Sequence, residues 1–140
     1  MWQEFPAKKE NYHDMLKSVI AAADAAGVSQ KQMMRLQLGF EEAAINIISY
    51  AYAADADGKV WLRTSLADDM FFVELKDNGA PFNPLDAGDA FKNRPTKLSD
   101  AKIGGLGIAF LRRIFCDLTY RYCEEDGKFF NRLKLGLRLR

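Results

Sequence analysis

Met70-Phe71-Phe72-Val73-Glu74-Leu75-Lys76-Asp77-Asn78-Gly79 alternates apolar and polar residues and then breaks its own pattern. Side chains in a strand repeat with period two, so Phe71, Val73, Leu75 and Asp77 share one face. A carboxylate that closes a buried apolar row must be solvated, paired, or held for a ligand. By itself Asp77-Asn78-Gly79 is a turn sequence. Just upstream, Lys59–Leu66 places Val60, Leu62, Thr64 and Leu66 on one side, after a turn at Asp57-Gly58. Asp68-Asp69 supplies the turn between the two runs, which together predict a hairpin.

Toward the N-terminus, residues 2–6 predict a short edge strand ended by Pro6. From Lys8 to Ala26 the apolar positions Tyr12, Leu16, Val19, Ile20 and Ala23 recur at helical spacing, and Gly27 closes the segment. Ser29 is a natural N-cap for a second helix running to about Ala53. That helix is nearly apolar all round, which makes it the central buried one. Its exceptions, Gly39, Glu42, Asn46 and Ser49, follow at steps of three or four and predict a narrow polar and small stripe.

Toward the C-terminus, residues 78–103 hold Pro81, Pro84 and Pro95 with no sustained period, the signature of a long loop that functions as a lid. Then comes Ile103-Gly104-Gly105-Leu106-Gly107-Ile108, with a helix expected at about Gly105–Phe115. Bare backbone N–H groups at a helix start can bind phosphate, although glycines there also make plain turns. Asp117–Glu124 and Lys128–Arg140 predict a closing hairpin around Glu125-Asp126-Gly127. In its last strand Leu133, Leu135, Leu137 and Leu139 point inward. Lys134, Arg138 and Arg140 point outward, as a solvated face that discourages edge pairing. The order of elements predicts an α+β fold: a two-layer sandwich of about three helices on one mainly antiparallel sheet.

The 140 residues predict one domain, 1–140, and 49% apolar with 28% charged residues is a globular composition. A net charge of +1 gives no field that would draw nucleic acid or an anionic membrane. No apolar run has the length of a membrane span and the N-terminus lacks a signal-peptide pattern, so the expected location is the cytoplasm. Cys116 and Cys123 predict neither a disulfide framework nor a metal site. His13, the one histidine, falls in the polar phase of a helix, which argues against Ser-His or Cys-His catalysis. No glycine is followed by Lys-Ser or Lys-Thr, which excludes a Walker A loop.

Three separated elements share a resemblance. Glu42-Ala43-Ala44-Ile45-Asn46, Asp77-Asn78-Gly79 and the glycine run resemble the N, G1 and G2 boxes of the ATP-binding superfamily of gyrase, the heat-shock chaperone, sensor histidine kinases and the mismatch-repair ATPase. The details are most similar to the bacterial anti-sigma-factor serine kinases. Glu42 to Asn46, continuing to Tyr50-Ala51-Tyr52, resembles their Glu-Ala-x-x-Asn pattern. Asp77-Asn78-Gly79-Ala80-Pro81-Phe82-Asn83-Pro84 resembles their G1 box, with proline for the second glycine. Gly104 to Leu111 and then Asp117-Leu118-Thr119-Tyr120 resemble their G2 box and the following strand. Glu41 stands where the family often has a small polar residue, and Tyr50 where many members carry histidine.

The resemblance implies a histidine-kinase-type ATPase, the Bergerat fold, that binds ATP with Mg2+. Asn46 would offer a carbonyl oxygen to magnesium, and Glu42 would act as the catalytic base. Spacing favours Glu42 over Glu41, since only i and i+4 share a face. Asp77 would accept from the adenine amino group, Gly79 would let the backbone approach the ring, and Gly104, Gly105, Leu106 and Gly107 would hold phosphate. Arg94, Lys97 and Lys102 in the lid are candidates for added charge. The implied activity is serine/threonine-protein kinase, with a small anti-sigma-factor antagonist as substrate, regulation of a sigma factor, and pairing as a homodimer through the first helix or the hairpin edge. The alternative is a non-catalytic module that sequesters a partner through a nucleotide-ordered lid. The catalytic fragment of a sensor histidine kinase fits less well, because the chain has no room for a phospho-acceptor helix pair.

Overall fold

In the computed structural model, which describes residues 1–52, 57–83, 109 and 111–139, five strands form one antiparallel sheet. They are Gln3–Pro6 (β1), Lys59–Ala67 (β2), Met70–Asp77 (β3), Asp117–Glu125 (β4) and Lys128–Arg138 (β5), in the order β1-β2-β3-β5-β4. A short 3-10 turn at Lys9–Asn11 leads into α1 (Tyr12–Ala25), and α2 covers Gln30–Tyr50. A third helix is present at residues 109 and 111–114.

The register of the sheet builds the core directly. Leu62, Leu75 and Leu133 stand abreast on β2, β3 and β5, as do Thr64, Val73 and Leu135. One step further along the same face, Val60, Asp77 and Asn131 form the last row. Onto this face the helices set Tyr12, Met15, Val19 and Ala23 of α1, and Leu36, Phe40, Ala43, Ala44 and Ile47 of α2, with Leu111 and Phe115. The buried row of α1 therefore runs through Met15, while Leu16 and Ile20 are only half-buried. Ser29 caps α2 as its type predicts, its Oγ accepting from the Gln32 amide.

The polar and small stripe of α2 slants. At 3.6 residues per turn, Asn46 lies roughly 20° from Gly39 around the axis, and Glu42 and Ser49 roughly 60° to 80° away. Burial follows that angle: Gly39 and Asn46 are buried, Glu42 is half-buried and Ser49 is exposed. Gly39 is small for packing, since a Cβ there would come within 2.5 Å of Phe115 Cε2.

The expectation of a solvated last strand that guards an edge is corrected by the strand order. β5 lies between β3 and β4, so it has no free edge to protect. Its outward side chains face a partly covered surface. Lys134 Nζ lies 4.3 Å from the centre of the Phe72 ring, and Arg132 is ion-paired with Glu74 and Glu125. On this back face the buried Lys76 sits among Trp2, Trp61 and Phe130, its Nζ 3.1 Å from Glu125. Arg138 remains exposed, and Arg140 lies outside the described residues.

Candidate functional site

Asp77 ends the inner row of β3 with 2% of its surface exposed, and its register partner Asn131 has 3%. Asn131 Nδ2 donates to Asp77 Oδ1 at 2.8 Å, and the Gly79 amide donates to the same oxygen at 3.0 Å. Among the described residues no donor reaches Oδ2, which is left for an incoming hydrogen-bond donor. Burial pushes the Asp77 carboxyl up to about 6, opposed by the bonds from Asn131 and Gly79 that hold it down.

Asn131 does more than meet Asp77. Its Nδ2 also faces the carbonyls of Ala80 (2.9 Å) and Gly79 (3.4 Å), while its Oδ1 accepts from the Phe82 amide (3.0 Å) and the Tyr120 hydroxyl. Three acceptors on one side and two donors on the other fix the amide orientation. The segment after β3 is thereby tied to both β4 and β5.

From the helix side, Glu42 and Asn46 meet one turn apart, Asn46 Nδ2 donating to Glu42 Oε1 at 3.3 Å. That bond orients the buried Asn46 so that Oδ1 is its open end; among the described residues no donor reaches it. Burial raises the Glu42 carboxyl above the usual carboxylate value; the Asn46 bond lowers it and neighbouring Glu41 raises it. Glu41 itself is exposed.

The end of α2 is fastened to the end of β3. A Cβ on Gly79 would lie 2.1 Å from the Ala51 carbonyl oxygen, so only glycine permits this approach. Glycine at 79 thus answers first to the helix behind it. Tyr52 adds a polar tie: its hydroxyl accepts from the Asn78 amide at 2.9 Å and lies 2.5 Å from the Lys59 carbonyl and 2.6 Å from Asn78 Oδ1. Tyr50 and Phe82 have ring centres 5.8 Å apart. Asn46 stands five residues before Ala51 on the same helix, about 7.5 Å along its axis.

The structure thus joins Gly79, and through it Asp77, to the end of α2, the helix that also carries Asn46 and Glu42. Gly104, Gly105, Leu106, Gly107, Arg94, Lys97 and Lys102 lie outside the described residues. Sequence reasoning missed Asn131, Tyr120 and Tyr52. The signal for Asn131 was there: it is the polar member of the row Asn131, Leu133, Leu135, Leu137, in the same phase as Asp77.

Helices on one face of an antiparallel sheet, with a buried carboxylate at a strand end and a Glu–Asn pair one turn apart on the second helix, define an α+β domain of the histidine-kinase ATPase type. Residues 5–130 match the histidine kinase-like ATPase domain family, and the chain belongs to it. It is similar to the anti-sigma F factor of Bacillus velezensis (strain DSM 23117 / BGSC 10A6 / LMG 26770 / FZB42), with 22% identity over 127 residues, 91% of this chain and 86% of that protein. Among solved structures, the nucleotide-free catalytic domain of histidine kinase ThkA aligns over 96% of this chain and 95% of its own, at 13% identity and a TM-score of 0.47. The Acinetobacter baumannii histidine kinase AdeS aligns over 98% of this chain and 68% of its own, at 14% identity and a TM-score of 0.44. No helix among the described residues is long and apolar enough to cross a membrane.

Proposed function

We propose that this chain binds ATP with Mg2+ and transfers the γ-phosphoryl group to a serine or threonine of a small partner protein of the anti-sigma-factor-antagonist class, so regulating a sigma factor. The observation that carries this reading is Asp77, a carboxylate at the end of an apolar row with one oxygen held by Asn131 and Gly79 and the other uncommitted among the described residues. An adenine amino group is a donor that such an acceptor suits. The similarity to a protein named anti-sigma F factor supports the partner class.

The residues present fit a magnesium ion. Among the described residues no cluster of three His, Cys, Asp or Glu could hold a metal. Magnesium needs only one or two protein oxygens beside phosphates and water, and Asn46 Oδ1 is a neutral oxygen kept open by the bond to Glu42. When bound, the ion would neutralise charge developing on the phosphates. Glu42, on the same helical face, accepts the proton of the attacking hydroxyl. The new bond joins that oxygen to the γ-phosphorus as the bond to the β-γ bridging oxygen breaks, and ADP leaves. Gly104, Gly105, Leu106 and Gly107 are proposed to hold the phosphates through backbone N–H groups, with Lys97 and Lys102 adding charge.

Incubation of the chain with radiolabelled ATP and the antagonist encoded nearby tests this. Label should appear on the antagonist and be lost in Glu42→Gln with ATP binding retained. ATP-dependent capture of a partner without any transfer of label would instead favour a sequestering module.

A further inference from the structure

Asn131 makes five hydrogen bonds from one buried amide: to Asp77 at the end of β3, to three residues after it, and to one on β4. Nothing in its own chemistry requires it there, since its strand neighbours on that face are Leu133, Leu135 and Leu137. A leucine would continue that row at no polar cost, whereas a buried amide costs free energy unless every group finds a partner. Here they do. The partners are Asp77 and the segment that leads away from it, apart from Tyr120, which anchors the amide from the neighbouring strand.

We propose that Asn131 is the positioning residue of the site: it aims Asp77 and locks the backbone of residues 79–82, so that nucleotide affinity depends on it. This rests on the assignment of Asp77 to the adenine ring. Asn131 holds Asp77 Oδ1, while among the described residues no donor holds Oδ2, so it selects which oxygen meets the ligand. The same Nδ2 holds the carbonyls of Gly79 and Ala80, and Oδ1 holds the Phe82 amide, so aim and loop shape move together. Because Asn131 donates to the carboxylate, it also favours the ionised form of Asp77. Among the described residues, the titratable groups that face Asp77 are Tyr52, just after α2, and Tyr120 of β4. Burial raises both phenols above their ordinary range, so both stay neutral while Asp77 titrates. Val60 faces it from β2 and carries no charge.

The test uses the full chain as wild type, Asn131→Leu and Asn131→Asp. Carbon-detected NMR follows the Asp77 carboxyl through pH 4 to 8, hydrogen exchange follows the Phe82 amide, and calorimetry follows Mg-ATP binding. In Asn131→Leu the Asp77 midpoint should rise, Phe82 exchange should speed about tenfold or more, and ATP affinity should fall about tenfold, with its acid limb following Asp77. Asn131→Asp keeps the size and the acceptor end but replaces the donor, so positions 77 and 131 should share one proton at neutral pH. An unchanged Asp77 midpoint and unchanged Phe82 exchange in either folded variant would overturn the proposal. If the wild type binds no ATP, the adenine assignment fails, while the two nucleotide-free measurements still decide whether Asn131 governs Asp77.

Discussion

Asp77 Oδ1 and Asn131 Nδ2 face each other at 2.8 Å across β3 and β5, in register, where every earlier pair of these two strands on the same face is apolar. The sheet therefore ends in a polar pair instead of a fourth layer of leucine. A buried carboxylate satisfied on one oxygen is a poor choice for stability alone. It is a good one for an acceptor that must meet a ligand already desolvated.

The tension between stability and binding can be measured. The unfolded-state value for Asp77 is close to 3.8 and the folded value about 6. For a carboxyl raised on folding, the folded state holds more protons between those values, so its stability is full below pH 4 and declines as pH rises through 6. Asp77→Asn removes that decline. Relative to wild type, the variant should gain on the order of 3 kcal/mol between pH 4 and pH 7, from roughly two units at 1.36 kcal/mol each. Urea titrations of the nucleotide-free chain across that range check it, and the same variant should bind Mg-ATP at least tenfold more weakly. Parallel pH profiles for the two proteins would show that Asp77 is not a strained acid.

Glu42→Gln keeps an amide oxygen where Oε1 accepts from Asn46, so the helix and the Asn46 orientation should survive. Stability should change by less than about 1 kcal/mol, while phosphoryl transfer falls about 100-fold or more for loss of a general base. Asn46→Ala should act differently, because it removes the proposed metal oxygen: ATP binding should lose its dependence on added Mg2+. Comparing calorimetric titrations with and without the ion separates the two residues.

Much of this architecture was legible in residue patterns. Period-two alternation gave β2, β3 and β5 their faces, and the carboxylate in phase with Phe71, Val73 and Leu75 pointed to Asp77. Helical spacing chose Glu42 and Asn46. The strand order was not legible, because the closing hairpin reads the same whether β5 or β4 joins β3; the β3–β5 register, which ends in the pair Asp77–Asn131, distinguishes them. That is why the outward charges of β5 suggested an edge. Tyr52 was visible as a motif residue, but its hydroxyl bond to the Asn78 amide joins elements 26 residues apart, and local pattern carries no such distance.

Gly79 offers a sharper test of how α2 and β3 are joined. A methyl group there would overlap the Ala51 carbonyl oxygen, a backbone atom fixed at the helix end. Gly79→Ala should cost about 1–3 kcal/mol, as overpacking does in a filled interior. It should also weaken ATP binding by moving the Gly79 amide away from Asp77 Oδ1. Thermal unfolding and nucleotide titration of the one variant should both respond. Loss of stability with full ATP affinity would mean that the join holds the fold and leaves the site alone.

The back of the sheet supplies a last test, remote from the nucleotide. Lys76 is buried with its Nζ 4.5 Å from the Trp2 ring centre and 4.7 Å from that of Phe130, and the Arg63 guanidinium carbon lies 4.1 Å from the Trp2 ring. Trp2 belongs to no helix packing; its ring covers cations on a face that the two-layer fold leaves open. Trp2→Ala should therefore uncover Lys76 and remove the ring's contacts with Lys76, Arg63 and Arg132, costing about 1–2 kcal/mol. Trp2→Phe should recover part of that, since a smaller ring still offers a face to Arg63. Neither variant should alter ATP affinity, because Lys76 and Asp77, adjacent in sequence, point to opposite faces of β3. Denaturant midpoints for the three proteins, read beside their ATP titrations, would show whether the two faces of the sheet act independently.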